Sequence, residues 1–138
     1  EGGNAVADIV FGKVSPAGRL PITFPKSLDQ LPPYEDYSMK GRTYRYMEKE
    51  PMYPFGFGLS YASFTYTDLQ QSASMISAGE TVQLSCDVTN VGQYPSVETV
   101  QLYVTDEQAS VEVPLFSLKD IQLLRQHILN QNHHPFLL

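Results

Sequence analysis

Val82-Gln83-Leu84-Ser85-Cys86-Asp87-Val88-Thr89-Asn90-Val91-Gly92 alternates apolar and polar residues at period two. Val82, Leu84, Cys86 and Val88 share one face; Gln83, Ser85, Asp87 and Thr89 share the other. That is the pattern of an antiparallel strand with one face on a core and one toward water. Asn90-Val91-Gly92 reads as the turn that ends it. On this register Cys86 points inward as a small core residue.

Working outward, Val100, Leu102 and Val104 alternate with Gln101 and Tyr103, which predicts the next strand. Leu115–Leu118 and Ile121–Leu124 are weaker apolar runs, with a turn expected at Leu118–Ile121. Ser63-Phe64-Thr65-Tyr66 is a short strand on the N-terminal side, and Gly79-Glu80 marks a turn. Short strands separated by turn signals predict a β-sandwich of immunoglobulin or fibronectin type III kind. Such a sandwich needs about seven strands, and roughly four or five are legible. Residues 126–138 show neither alternation nor turn logic and read as an unmatched tail. A sandwich ending there would keep an open sheet edge.

Residues 1–61 are of a different kind. Val6, Ile9 and Val10 fall on one face of a short helix over residues 4–11, with Asn4 as N-cap and Gly12 as C′ residue. So short a helix needs a surface to lean on. Ser15-Pro16-Ala17-Gly18 predicts a turn. Arg19–Phe24 is a short extended run in which Pro21 argues against a central strand position. Residues 25–58 are rich in Pro, Gly and Tyr and keep no period. A connector this long is uncommon inside a compact domain. Tyr34, Tyr37, Tyr44, Tyr46, Tyr53, Phe55 and Phe57 make it an aromatic strap laid on a neighbouring surface rather than a floppy linker. Gly56 and Gly58 permit a tight bend or a close backbone approach at the domain junction.

The chain has 138 residues, 42% hydrophobic and 17% charged, which is globular in type and room for one compact domain plus a lead-in. The formal charge is −6. Residues 1–61 hold seven basic and seven acidic side chains; residues 62–138 hold two and eight and carry the whole excess. An acidic half excludes nucleic acid and an anionic membrane surface as natural partners. No run approaches a membrane span. A single cysteine forms neither an internal disulfide nor a zinc site, and His127, His133 and His134 lack the spaced co-ligands of a metal centre. No metal or cofactor is expected. The chain opens on Glu1 in what reads as mid-element, so a fragment is expected, and compartment is not legible from it.

Three stretches carry a family resemblance. Gly2–Gly12 with Ser15–Pro25 resembles the last helix and strand of the α/β sandwich domain in family 3 glycoside hydrolases. Gly41-Arg42-Thr43-Tyr44-Arg45-Tyr46 and Tyr53-Pro54-Phe55-Gly56-Phe57-Gly58-Leu59-Ser60-Tyr61 resemble the segment that follows that domain. Gly79–Gly92 with Glu98–Val104 resembles the family's fibronectin type III-like domain. The match runs over roughly residues 1–121. It implies a division into residues 1–33, the end of the α/β sandwich domain; 34–61, an inter-domain strap; 62–125, a partial fibronectin type III-like domain; and 126–138, the tail. The fold expected is mainly β: an incomplete sandwich preceded by a helix–strand remnant and an irregular strap.

The resemblance also implies a chemistry. Family members are retaining enzymes with two carboxylates about 5–5.5 Å apart, a nucleophile and an acid/base. Both lie in parts of the family's chain that precede this one, so no catalytic residue is expected here. The full-length parent would be a secreted β-glucosidase or β-xylosidase, with a small oligosaccharide or glycoside as substrate and this segment packed on the N-terminal domains. Glucoside versus xyloside stays open, with the Leu118–Ile121 turn leaning toward xyloside. Two other readings stand beside it: a free-standing fibronectin-like binding module, and a truncated product without function. For Glu35, Asp36, Glu48 and Glu50 the expectation is structural hydrogen bonding to strap backbone or to Arg42 and Arg45, against a sugar subsite. Arg42 and Arg45 are expected to clamp carboxylates of the sandwich domain.

Overall fold

A computed structural model describes residues 1–128 and 131–137; within 131–137 only Pro135 has a described side chain. The chain is mainly β, as expected. Helix α1 (Gly2–Val10) and the one-turn helix α2 (Thr43–Tyr46) flank a 3-10 turn at Leu28–Gln30. Strands β1 (Phe64–Gln71), β2 (Gln83–Asn90), β3 (Ser96–Val104), β4 (Ser117–Gln126) and β5 (Gln131–Leu137) follow. They form a three-stranded sheet in the order β1-β2-β5 and a two-stranded sheet β3-β4. The backbone groups into two units that are discontinuous in sequence. One contains 1–17, 59–102 and 120–138; the other contains 18–58 and 103–119.

In the first unit β2 is the centre of its sheet, antiparallel to β1 (Tyr66 opposite Val88) and to β5 (Cys86 opposite His134). The alternation of β2 puts Cys86 and Val88 inside, as its sequence predicts, and continues to Asn90, which the sequence assigned to the turn. Cys86 and Val88 meet Val100 of β3 and Leu124 of β4, flanked by half-buried Phe64, Leu84 and Leu102. This is a small core. A cleft of about 450 Å³ opens beside it, walled by Leu84, Cys86, Val100 and Leu102. The incomplete sandwich is thus visible as core positions that border open space.

Asn90 closes the β2 turn. Its side chain is fully buried, donates to the Tyr94 carbonyl at 2.8 Å and accepts from the Gly92 N–H at 3.0 Å. Gly92 is required there, because a Cβ would lie 2.6 Å from the Ser63 nitrogen. Helix α1 is tied to the same unit by the Tyr61 hydroxyl, which donates to the Ile9 carbonyl at 2.9 Å. A chain of hydroxyls, Ser15–Ser60–Ser96, adds contacts of 3.2 and 3.3 Å.

Several expectations are corrected. Helix α1 starts at Gly2, so Asn4 is inside it and not its N-cap. Of its predicted buried face only Ile9 is half-buried; Val6 and Val10 are exposed. Gly12 does terminate it, at φ +74°. No turn forms at Ser15–Gly18; the chain bends at residues 11–14 instead. There the Lys13 and Val14 N–H groups both donate to the Asp8 carbonyl, and Lys13 pairs with the Asp8 carboxylate at 3.1 Å. Strand β1 runs five residues beyond Tyr66. Its later residues are exposed and, Leu69 apart, polar, and a bulge at Asp68–Leu69, with Asp68 at φ +52°, breaks the register. β4 is continuous through Lys119-Asp120-Ile121, so the predicted Leu118–Ile121 turn does not exist, nor does the lean toward xyloside built on it. β4 turns Gln122, Leu124 and Gln126 inward and leaves Ile121 and Leu123 exposed, which hid its alternation from hydropathy. Residues 131–137, read as part of a patternless tail, pair along the whole of β2. Cross-strand backbone bonding needs no particular side chains, so pairing proceeds without the pattern.

Candidate functional site

The second unit holds the aromatic strap, and its local structure follows from a few residues. The Leu20 N–H donates to the Phe57 carbonyl and the Gly56 N–H to the Leu20 carbonyl, both at 2.8 Å. The Phe24 N–H donates to Tyr53 and the Met52 N–H to Phe24, again at 2.8 Å. The run from Arg19 to Phe24 is thus an extended edge zipped antiparallel to residues 52–57, and Pro21 falls between bonded positions where no N–H is needed. Gly56, at φ +80°, makes the bend. Gly58 allows the close approach, since a Cβ would sit 2.2 Å from the Gly18 carbonyl oxygen. Both roles expected of these glycines are present, but inside one unit.

Tyr44 is the hub of the strap. Its ring stacks on Phe55 with centroids 4.4 Å apart and meets Phe116 at 5.7 Å and Tyr103 at 5.9 Å. Tyr103 and Phe116 meet edge to face. Tyr53 packs on Phe57 at 4.9 Å. Burial and the neighbouring Tyr44 push the Tyr103 phenol up from its ordinary pKa. Tyr44, Tyr53, Phe55 and Phe57 thus pack on other aromatics of this unit, while Tyr34 and Tyr37 are each 89% exposed.

Beside the Tyr44–Phe55 stack lies a cleft of about 530 Å³. Ile22, Met39 and Met47 give it apolar walls, and Arg42, Thr43 and Arg45 supply polar groups. Its lining holds no carboxylate. Thr43 is held at φ +54°, unusual for a β-branched residue, following Gly41 at φ +72°. A second cleft of about 240 Å³ does hold two acids, Asp29 and Glu48, together with Lys40 and Lys49. Both acids are exposed.

The charged strap residues are engaged locally. The Asp36 carboxylate accepts from the Ser38 N–H at 2.8 Å, which holds its carboxyl below the usual range. Glu50 pairs with Lys26 at 2.5 Å, and this lysine lowers its carboxyl likewise. Glu35 and Glu48 are exposed. The Arg42 guanidinium is bonded to backbone carbonyls of the strap. Its Nε donates to the Ser38 carbonyl at 3.0 Å and its Nη2 to the carbonyls of Asp36 and Pro33, at 2.5 and 3.3 Å. Arg45 lies 5.9 Å from the centroid of the Tyr46 ring. The backbone carbonyls as guanidinium partners were missed because carbonyls leave no mark in a sequence.

Burial pushes the Cys86 thiol up, with Asp87 adding to the shift. Among the described residues no group of metal-ligating side chains is present; His127 is exposed, and the side chains of His133 and His134 lie outside the described residues. Among the described residues no helix is long and apolar enough to cross a membrane.

The sequence profile of the Glycosyl hydrolase family 3 C-terminal domain matches residues 1–61. A xylan 1,4-beta-xylosidase of Xylanibacter ruminicola is 47% identical over 124 residues, covering 90% of this chain and 14% of the relative. A periplasmic beta-glucosidase of Salmonella typhimurium is 39% identical over 134 residues, covering 88% and 18%. The crystal structure of the GH3 beta-glucosidase of Bifidobacterium adolescentis superposes with a TM-score of 0.84 at 31% identity, over 99% of this chain and 22% of that one. The chain thus spans less than a fifth of the length of either curated relative. Profile, identity and superposition agree: the chain belongs to glycosyl hydrolase family 3, in the C-terminal region of that family's polypeptides.

Proposed function

We propose that this chain is a non-catalytic accessory segment of a hydrolase that removes terminal β-linked glucose or xylose from oligosaccharides by a retaining mechanism. The observation that carries this reading is family membership joined to a strap cleft without a carboxylate in its lining. A retaining glycosidase needs two carboxylates about 5–5.5 Å apart, one of them raised in pKa. Asp36 and Glu50 are shifted the other way, toward the ionised form. The role left is to close the preceding domain with residues 1–33, brace it with the strap at 34–61, and add part of a fibronectin-like domain at 62–125. Val6, Val10 and Phe11, exposed on and just after α1, are the surface that packing on preceding domains would cover. A parent that works outside the cytoplasm is consistent with the periplasmic relative.

The test is hydrolysis of nitrophenyl β-glucoside and β-xyloside by this chain alone and by the full-length parent. Activity in the parent and none in the chain is expected. Turnover by the chain well above the buffer rate would refute the accessory role, and an inactive parent would refute the hydrolase reading.

A further inference from the structure

Residues 41–46 are held in a conformation that their own chemistry resists. Thr43 sits at φ +54°, in the left-handed region that a β-branched side chain avoids. Helix α2, which starts there, has four residues, too few to be stable alone. Such a backbone persists only where its surroundings over-determine it. Within the strap its holds include the Tyr44–Phe55 stack and the bond from the Gly41 N–H to the Tyr46 carbonyl at 3.1 Å. Further holds come from residues 103–119, the end of β3, the β3–β4 connection and the start of β4. The Leu115 N–H donates to the Arg45 carbonyl at 2.7 Å, and the Leu118 N–H to the Tyr44 hydroxyl at 3.4 Å. The Tyr103 and Phe116 rings close on Tyr44 and meet each other edge to face. These contacts join two parts of one chain, so they do not depend on what covers its outer surface. Residues 18–58 and 103–119 accordingly group as one compact unit, although β1 and β2 lie between them in sequence.

We propose that the β3–β4 connection, residues 105–116, is a latch on the strap. Docked on Tyr44, it holds residues 41–46 in their strained form. Undocked, it lets them relax and loosens the strap from Arg19 to Gly58 as one cooperative element. Phe55 carries the effect, because it stacks on Tyr44 and lies in the run 52–57 that is zipped to Arg19–Phe24. A strained segment held by a remote contact has two discrete arrangements rather than a continuum, since a packed ring cluster is either closed or open. Thr43, Tyr44, Arg45 and Phe55 also wall the 530 Å³ cleft, so the latch sets that cleft's shape. The order of the strap is thereby tied to the β-sheet part of the chain. This goes beyond the accessory reading and holds whether or not the parent hydrolyses a glycoside.

The experiment is amide hydrogen exchange, read by mass spectrometry on the full-length parent, native and Phe116→Ala. Peptides covering residues 19–24 and 52–57 should exchange at least ~10-fold faster in the variant, while peptides covering β2 stay within ~2-fold. Phe116→Tyr keeps the ring and should leave all of these within ~2-fold of native. Thr43→Gly removes the strain that the latch must hold, so adding it to Phe116→Ala should slow exchange at 19–24 and 52–57 by at least ~3-fold. A change confined to residues 103–119 would show that the strap stands without the latch, and overturns the proposal. Equal acceleration in β2 overturns it too, because the strap would then be no separate element. Failure of Thr43→Gly to restore protection overturns the claim that the latch holds strain. Hydrolysis by the parent is measured separately: an inactive parent refutes the hydrolase reading and leaves the exchange result to decide the latch.

Discussion

Gly58→Ala is the sharpest test of the strap geometry. A methyl group at position 58 would sit 2.2 Å from the Gly18 carbonyl oxygen and 2.8 Å from Cδ and Nη1 of Arg19. The arginine end can swing away; the carbonyl is backbone and cannot. A carbon–oxygen contact needs about 3.3 Å, so residues 18 and 58 must part by about 1 Å. The neighbouring bonds, Leu20 N–H to Phe57 and Gly56 N–H to Leu20, are 2.8 Å long and would open beyond bonding range. Two lost hydrogen bonds cost about 1 kcal/mol each, and overpacking adds about 1–3 kcal/mol, for a total of about 3–5 kcal/mol. With a urea m-value of about 1.5 kcal/mol/M the midpoint falls by about 2 M or more. Amide exchange at Leu20 and Gly56 should quicken at the same time. Gly3→Ala is the control: a Cβ there meets nothing within 4 Å, and removing a helical glycine should stabilise by about 0.5–1 kcal/mol. A Gly58→Ala midpoint within about 0.3 M of the native value would refute the reasoning.

Four further outcomes follow from the same contacts. Asn90→Ala leaves the Tyr94 carbonyl and the Gly92 N–H without their buried side-chain partner, so urea unfolding should show a loss of about 1–3 kcal/mol. Thr43→Gly relieves a left-handed backbone at a β-branched residue and should raise the urea midpoint, against the usual penalty for glycine. Cys86 has its thiol pKa raised in the folded state, so its contribution is fully present below the ordinary thiol pKa and is lost as pH rises through the folded value. From pH 7 to 10 the thermal midpoint of the native chain should therefore fall more steeply than that of Cys86→Ala. Glu50 has its pKa lowered by Lys26, so its contribution is present above the ordinary glutamate pKa and fades as pH falls through the folded one. Carboxyl NMR titration should place Glu50 below free glutamate in the native chain and at the ordinary position in Lys26→Met.

What the sequence by itself determined is the class and the inner sheet. Alternation at Leu84, Cys86 and Val88 is dictated by the pleat, because a strand with one buried face must repeat every two residues. The structure keeps that register, with Val88 fully buried. Gly56 and Gly58 were also legible, because glycine between aromatics marks backbone geometry that other residues resist. Tertiary structure alone decided the rest. β4 and β5 are strands because a neighbouring backbone offers hydrogen-bond partners, not because their side chains alternate in hydropathy. Arg42 was legible as a clamp but not what it clamps, since carbonyls from Pro33 to Ser38 converge on it only once the loop has closed. The same closure separates aromatics of one composition into two kinds, Tyr44 stacked in a cluster and Tyr34 and Tyr37 facing water. Burial is a property of the folded surroundings, and a list of residues does not contain it.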